Sequence, residues 1–209
     1  MPISPAYPKD KIMALDWIKV CNMGLRRIGT KDVISSLSGT DKASIACNDA
    51  YEAVRDAVLE DFDWKCASYR EALSKDTEVP AFGWDYKYNL PSSPYCLVVR
   101  EIYPESVDYE IEGRNLLTDY DNASGEDLYI RYTKRLSNPS ELSTLCAKAI
   151  AWRLAAEICY HFVQSSALQQ TILQEYQAIL NEAKMSNQQY DKNHDEDAPS
   201  TGEWIRAGR

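Results

Sequence analysis

The chain has 209 residues, of which 44% are apolar and 26% are charged, a balance typical of a globular protein with one large or two small domains. Its net charge is −9, from 32 acidic and 23 basic residues, and Lys and Arg form no stripe. Because affinity for a nucleic-acid backbone comes from phosphate neutralisation, this charge disfavours tight binding to nucleic acid. No apolar stretch approaches the roughly 18 residues of a membrane span, and the N-terminal MPISPAYPKDK is not a secretory signal pattern, so we expect synthesis in the cytoplasm.

Two helices are predicted in the first third of the chain. The first runs from about Asp10 to Ile28 and ends at Gly29. The second covers residues 41–61, with Thr40 or Asp41 at its N-terminal cap and small residues on its inner face.

From residue 64 onwards the apolar period changes from helical to alternating. A first strand ends at Pro91 and carries large apolar residues on one side: Trp84, Tyr86, Tyr88 and Leu90. Further strands are predicted over residues 95–103, 109–111, 116–117 and 128–133, with a turn at Gly113. We therefore expect four to six short antiparallel strands.

Residues 138–163, NPSELSTLCAKAIAWRLAAEICYHFV, form the most apolar helix. Asn138 is a cap residue and Pro139 suits the first helical position, so the helix is predicted to begin near Pro139. Its apolar residues form two seams, and the second consists of Ile150, Leu154, Ile158 and Phe162. Two apolar faces need two or more packing partners, so this helix is predicted to be the centre of a bundle, with the second seam packed against another subunit. The alternative is a buried core helix in a monomer.

These elements predict an α+β fold with three parts. A four-helix bundle-like module would comprise residues 1–63 and 137–186, with its last helix ending near Met185, and an antiparallel β module of residues 64–136 would be inserted between helices 2 and 3. Residues 187–209 lack periodicity and are predicted to be an extended, flexible C-terminal arm. Trp204, Ile205 and Arg206 in this arm are predicted to bind a partner, although a Trp without a role is equally compatible.

Residues that carry chemistry are few. The six cysteines have no Cys-x-x-Cys spacing and are predicted to be small buried hydrophobic residues in a reducing compartment: Cys21, Cys47, Cys66, Cys96, Cys146 and Cys159. His161 is predicted to be a packed structural histidine. Carboxylates near His194 could hold a divalent cation, but they lack the glycine turn and distal Glu of a calcium loop: Asp191, Asp195, Glu196 and Asp197. We predict no catalytic residue, metal or cofactor, and keep a small metal-dependent hydrolase only as an alternative.

The predicted β module is rich in aromatic residues: Tyr69, Trp84, Tyr86, Tyr88, Tyr95, Tyr103, Tyr109, Tyr120, Tyr129 and Tyr132. Tyr and Trp are enriched at protein interfaces, although cross-strand packing explains any single one of them. As a group they predict partner contact, and Tyr86 and Tyr88 are the candidate binding residues.

Four segments in this order resemble the head-to-tail adaptor proteins of short-tailed bacteriophages, the tail tubular protein A or gatekeeper family. They are CNMGLRRIGT (21–30), DWKCASYREAL (63–73), YKYNLP (86–91) and YIRYTKRLSNPSELSTLCAKAIAWRLAAEI (129–158). The resemblance spans nearly the whole chain and depends on the order and spacing of structural segments.

The resemblance implies a structural protein of the virion neck, made in the bacterial host cytoplasm. Copies of the chain would form a homo-oligomeric ring, usually a dodecamer, that binds the portal protein after DNA packaging and presents a platform for the tail nozzle protein. DNA would pass through its channel during ejection without specific binding. Another neck connector or tail-completion protein is the alternative within the same class.

Overall fold

The computed structural model describes residues 15–122 and 127–196, with side chains as far as Asn187. Its elements follow in the order α1 (Trp17–Arg27), α2 (Lys42–Asp61), β1 (Ser68–Ala72), β2 (Ser74–Lys75), β3 (Tyr86–Asn89), β4 (Cys96–Tyr103), β5 (Glu110–Glu112), β6 (Asn115–Thr118), β7 (Tyr129–Lys134), α3 (Thr144–Val163) and α4 (Ser166–Glu196). The fold is therefore mixed α+β, and along the chain the strands lie between the second and third helices.

Side-chain caps decide where the first two helices begin. Asp41 accepts a hydrogen bond from the Ser44 N–H at 3.0 Å, which confirms the predicted start of α2. α1 begins at Trp17 rather than near Asp10, because Asp16 is extended and its carboxylate accepts the Lys19 N–H at 2.7 Å.

The start of α3 also differs from its prediction. Asn138 caps only a short 3₁₀ turn, Pro139–Glu141, and its side chain accepts the Ser140 N–H. Leu142 then returns to an extended conformation, and the α-helix begins at Thr144 with Ser143 as its cap. The prediction that α3 begins near Pro139 was wrong, because a second cap residue follows five positions after the first.

α4 is longer than predicted. It continues to Glu196 instead of ending near Met185, so the first part of the predicted arm is helical. Residues 186–196, SNQQYDKNHDE, contain no Gly or Pro that would end a helix. The Asn187 side chain also donates to the Asp63 carbonyl oxygen at 3.1 Å, which ties this part of α4 to the residues that follow α2.

α3 lies at the centre of the helices and contacts α1, α2 and α4. Its small residues allow close approach: a Cβ added to Gly24 of α1 would lie 3.0 Å from the Ala151 carbonyl oxygen. The second seam is covered within one chain, since Ile150 and Leu154 are 0% exposed and Ile158 is 2% exposed. The prediction that these three residues pack against another subunit was therefore wrong, and the buried core helix is the arrangement found.

Phe162, the last member of that seam, is partly buried. The Lys42 ammonium lies 4.7 Å from the centre of its ring, so a side chain of α2 covers it. None of the four seam residues therefore depends on a second copy of the chain for its cover.

The strands form two antiparallel sheets, with the orders β1-β7-β4 and β2-β3-β6-β5. The predicted strands are confirmed, while the short β1 and β2 were not predicted individually. Residues from both sheets share a second apolar cluster, separate from the helical one: Leu73, Tyr88, Leu90, Cys96, Ile102, Leu116, Leu128, Ile130 and Tyr132.

Three arginines on or just after strands of the three-stranded sheet connect this sheet to α2 and to the residues that follow α2. The Arg100 Nη2 donates to the carbonyl oxygens of Leu59, Glu60 and Phe62 at 3.1, 2.8 and 3.1 Å. Arg131 pairs with Asp63 at 2.8 Å, and Arg135 pairs with Asp56 at 2.6 Å. These contacts form an arginine seam along the C-terminal half of α2.

Candidate functional site

A groove of about 860 Å³ runs between α2 and α3. The α2 wall is built from alanines at helical spacing on one face: Ala46, Ala50, Ala53 and Ala57. The wall formed by α3 carries Arg153, Glu157 and His161 above the buried Ile158. Because the alanines are small, another helix can approach the α2 wall closely at their positions, whereas Ile45, which is 49% exposed, projects beside them.

Charged side chains of both signs surround the groove. Lys42 donates through its Nζ to the His161 carbonyl oxygen, and Asp49 and Glu157 supply the negative charges. The guanidinium of Arg153 lies 5.9 Å from the centre of the Tyr176 ring on α4. His161 itself is exposed at the end of α3, so the prediction of a packed structural histidine was wrong.

A second surface, the tyrosine cleft, lies on the three-stranded sheet and has a volume of about 630 Å³. Tyr103 of β4 lies directly opposite Tyr129 of β7, and Tyr109 joins them from the loop before β5. These side chains are 56%, 42% and 38% exposed, respectively. Because large apolar side chains seldom cluster on a free surface without a role, the cleft is a candidate binding surface.

Charged residues hold the rim of the tyrosine cleft in place. The Arg131 Nη1 donates to both Asp63 carboxylate oxygens, at 2.9 and 2.8 Å, and its Nη2 donates to Glu101 at 2.7 Å. The hydrogen bond from Arg131 lowers the pKa of Glu101, and the same bond raises the pKa of Arg131. Arg70 faces Arg131 from the neighbouring strand, so the cleft combines Tyr with Arg.

The two tyrosines selected from the sequence differ in position. Tyr88 is 0% exposed and its hydroxyl donates to the Tyr120 carbonyl oxygen at 2.9 Å, so the prediction that Tyr88 binds a partner was wrong. Tyr86 is partly buried beneath the Lys75 ammonium, which lies 3.8 Å from the centre of its ring. The negative charge of Asp121 raises the pKa of Tyr86.

Tyr103, Tyr109 and Tyr129 belong to the aromatic set predicted from the sequence, but the prediction did not distinguish them from the buried tyrosines of that set. The alternation in β7 contained that signal, because Tyr129 and Arg131 alternate with the buried Ile130 and Tyr132.

The side chains of the remaining predicted site residues are not among those that the structure describes. Trp204, Ile205, Arg206 and Asp197 fall outside the described residues. Asp191, His194, Asp195 and Glu196 belong to the last turns of α4, whose backbone alone is described.

The described part of the chain lacks two kinds of feature. Among its side chains, no group of three or more His, Cys, Asp or Glu is arranged to hold a metal ion. Its helices include none with both the length and the apolar character needed to cross a bilayer.

Comparison with known proteins adds no relative. No protein-family model matches the chain, and no curated protein matches it. The resemblance to phage adaptor proteins therefore stays a prediction made from four sequence segments.

Proposed function

We propose that the protein is a structural head-to-tail adaptor of a short-tailed bacteriophage. In this proposal a ring of copies, taken as a dodecamer, lies between the portal protein and the tail nozzle protein and continues the DNA channel. One observation carries the proposal: the chain has two unlike binding surfaces, the groove between α2 and α3 and the tyrosine cleft, at positions that leave both free at once.

The separation of the two surfaces follows from α2. This helix has 20 residues and is therefore about 30 Å long. The groove follows its side from Lys42 to Ala57, whereas the tyrosine cleft lies beyond its C-terminal end, where Arg131 holds Asp63. A partner in the groove and a partner on the sheet would not compete, which is the requirement for an adaptor.

The occupant proposed for the groove is α4 of a neighbouring copy. Among the described residues that line the groove, none belongs to α4 of the same chain, and α4 exposes a face of its own: Thr171, Gln174, Ala178, Glu182 and Met185. The small Ala178 at the centre of that face matches the alanine wall of the groove, and its polar flanks suit a rim that carries both charge signs. Two different surfaces on one chain make a head-to-tail contact, which closes into a ring when the rotation permits.

In this ring the four helices form a bundle-like module that packs side by side, and the strands form an inserted module that faces the tail. The tyrosine cleft then meets the nozzle protein, because exposed Tyr with Arg is the composition of binding hot spots. The loop between β2 and β3 carries another exposed aromatic residue outside the tyrosine cleft, Phe82, which is 88% exposed. With a charge of −9 on each copy, the channel repels DNA enough for it to slide without specific binding.

The ring contact is tested with one substitution on each of its two surfaces. Ala53→Arg fills the groove and Ala178→Arg blocks the opposing face, while Asn48→Arg adds the same charge on an exposed position of α2 outside the groove. We expect sedimentation with the portal protein of the same genome to show rings for the wild type and for Asn48→Arg. Each of the other two variants loses ring assembly by at least about tenfold, which corresponds to about 1.4 kcal/mol per contact.

A mixture of the two defective variants makes this test specific. The Ala53→Arg chain keeps its α4 face and the Ala178→Arg chain keeps its groove, so together they should form dimers that grow no further. Normal rings from both variants in the presence of portal would refute the proposed contact. Absence of any association between the wild-type chain and the portal would refute the adaptor function itself.

The nozzle contact is tested separately. Tyr103→Ala and Tyr129→Ala should each weaken capture of the nozzle protein by the assembled ring by about tenfold or more, since hot-spot tyrosines commonly contribute over 1 kcal/mol. Tyr160→Ala is the matched control, because Tyr160 is 60% exposed but lies at the end of α3. Equal binding by all three variants would remove the tyrosine cleft from the proposal.

A further inference from the structure

The tyrosine cleft is lined by exposed aromatic rings on one face of the three-stranded sheet. Tyr103 and Tyr129 pair across β4 and β7, Tyr109 adds a third ring, and each of the three is at least 38% exposed. Aromatic-lined grooves are the surfaces on which proline-rich segments dock, because the extended polyproline II helix is preformed and loses little entropy on binding. The cleft therefore suits a proline-rich occupant.

The N-terminal sequence of this chain has the spacing that such a groove recognises. MPISPAYPKDK carries prolines at positions 2, 5 and 8, which is the pattern P-x-x-P-x-x-P. A polyproline II helix has three residues per turn, so the three prolines would share one of its faces. Residues 1–14 lie outside the described part of the chain.

The charges that follow the prolines complement those of the cleft. Residues 9–11 read KDK, two cations around one anion. The cleft presents two exposed carboxylates, Glu105 and Glu101, the latter also bonded to Arg131, and one exposed cation, Arg70. Lys-Asp-Lys can therefore pair with both signs of charge at the rim of the cleft.

The groove between α2 and α3 lacks these properties. None of the described residues that line it is Tyr, Trp or Phe, and its α2 wall consists largely of alanine. Of the two surfaces, the tyrosine cleft is thus the one that fits a segment with proline at every third position.

The described chain begins within reach of the cleft. The Trp17 Nε1 donates to the Ser137 carbonyl oxygen at 3.1 Å, so the start of α1 lies beside the residues that follow β7. Ser137 comes eight residues after Tyr129, and eight residues span at most about 29 Å. Counted back from Leu15, Pro5 lies ten residues away, which is about 31 Å in polyproline II. The N-terminal segment is therefore long enough to reach the cleft of its own chain.

We propose that residues 2–11 dock in the tyrosine cleft of the same chain as a polyproline II helix, with the prolines against the three tyrosine rings and residues 9–11 at the charged rim. In an adaptor, the segment covers the site of the nozzle protein until that protein displaces it. This consequence rests on the proposed function, whereas the docking itself does not.

The experiment uses the full chain with the photoreactive p-benzoylphenylalanine in place of Tyr7. After irradiation, tryptic peptides are analysed by mass spectrometry. We expect position 7 to be joined to the peptides that carry the three cleft tyrosines, residues 101–114 and 115–131. In a mixture of isotope-labelled and unlabelled chains, docking within one chain gives no hybrid cross-links. Hybrid cross-links, or cross-links only to other parts of the chain, would overturn the proposal.

Trypsin cleavage after Lys9 and Lys11 measures the docking without a photoreactive group. Because cleavage follows the population of the open form, Tyr109→Ala should accelerate it by at least about fivefold, whereas Tyr160→Ala should not. Glu105→Gln should also accelerate cleavage, and Glu112→Gln is its control, since Glu112 is exposed on β5 outside the cleft. Equal cleavage rates in all four variants would refute the docking.

The docking and the nozzle contact can fail separately. If position 7 gives no cross-link to the cleft while Tyr103→Ala still weakens capture of the nozzle protein, the docking is refuted and the proposed function stands. If the cross-link forms while Tyr103→Ala captures the nozzle protein normally, the docking stands and the nozzle contact is refuted.

Discussion

Replacing Arg100 tests how the sheet and α2 are joined. Its Nη2 contacts three carbonyl oxygens at the end of α2, and its Nε donates to the Thr133 hydroxyl at 2.8 Å. Nη2 has only two hydrogens, so at most two of its three contacts are full bonds at one time, and Nε adds a third bond. At about 1 kcal/mol for each bond, Arg100→Ala should lower the free energy of unfolding by about 3 kcal/mol.

Two further variants identify the cause of that loss. Arg100→Lys keeps a cation near the helix end but loses the bond to the buried Thr133, so we expect it to cost about 1 kcal/mol. Arg70→Ala removes an exposed arginine from β1 of the same sheet and should change stability by less than about 0.5 kcal/mol. Urea unfolding followed by circular dichroism measures all three, and a loss below 1 kcal/mol for Arg100→Ala would refute this account of the seam.

Three other predictions follow from single contacts. Gly24→Ala should destabilise the protein by about 2 kcal/mol in urea unfolding, because the added methyl group meets the Ala151 carbonyl oxygen at 3.0 Å. An unchanged urea midpoint would contradict the close packing of α1 on α3. Tyr176→Phe should lower the free energy of unfolding by about 1 kcal/mol in the same assay, because the 2.7 Å hydrogen bond to Asp61 is lost. Equal stability would show that this hydrogen bond does not stabilise the fold. Because the pKa of Cys66 is lowered to about 6, the rate of its alkylation by iodoacetamide should increase as pH rises through 6 and level off near pH 7. A rate that still increases near pH 8.5 would indicate an ordinary thiol.

Local signals predicted much of the fold. α2 was expected over residues 41–61 and spans Lys42–Asp61, because its cap is adjacent to its first turn. The start of α3 was missed since the sequence offers two competing caps, and only the extended Leu142 shows that Ser143 begins the helix. The sequence does not predict the full length of α4, because its last turns are polar and a polar segment without apolar periodicity also fits a disordered arm.

Contacts between distant residues were beyond prediction from the sequence. Arg100 caps a helix that ends about forty positions earlier, and no periodicity signals such a contact. The apolar second seam of α3 was recognised but assigned to another subunit, because a sequence shows that a face is apolar without showing which neighbour covers it.

The arginine seam has a consequence for the order in which this protein loses its structure. Both apolar clusters depend on buried area, whereas the joint between sheet and helix depends on oriented charge, which dissolved ions attenuate. Concentrated chloride should therefore weaken the contacts between the three-stranded sheet and the end of α2 while both apolar clusters stay packed, whereas urea should act on the clusters. A change in ionic strength should therefore weaken this joint before it affects either apolar interior.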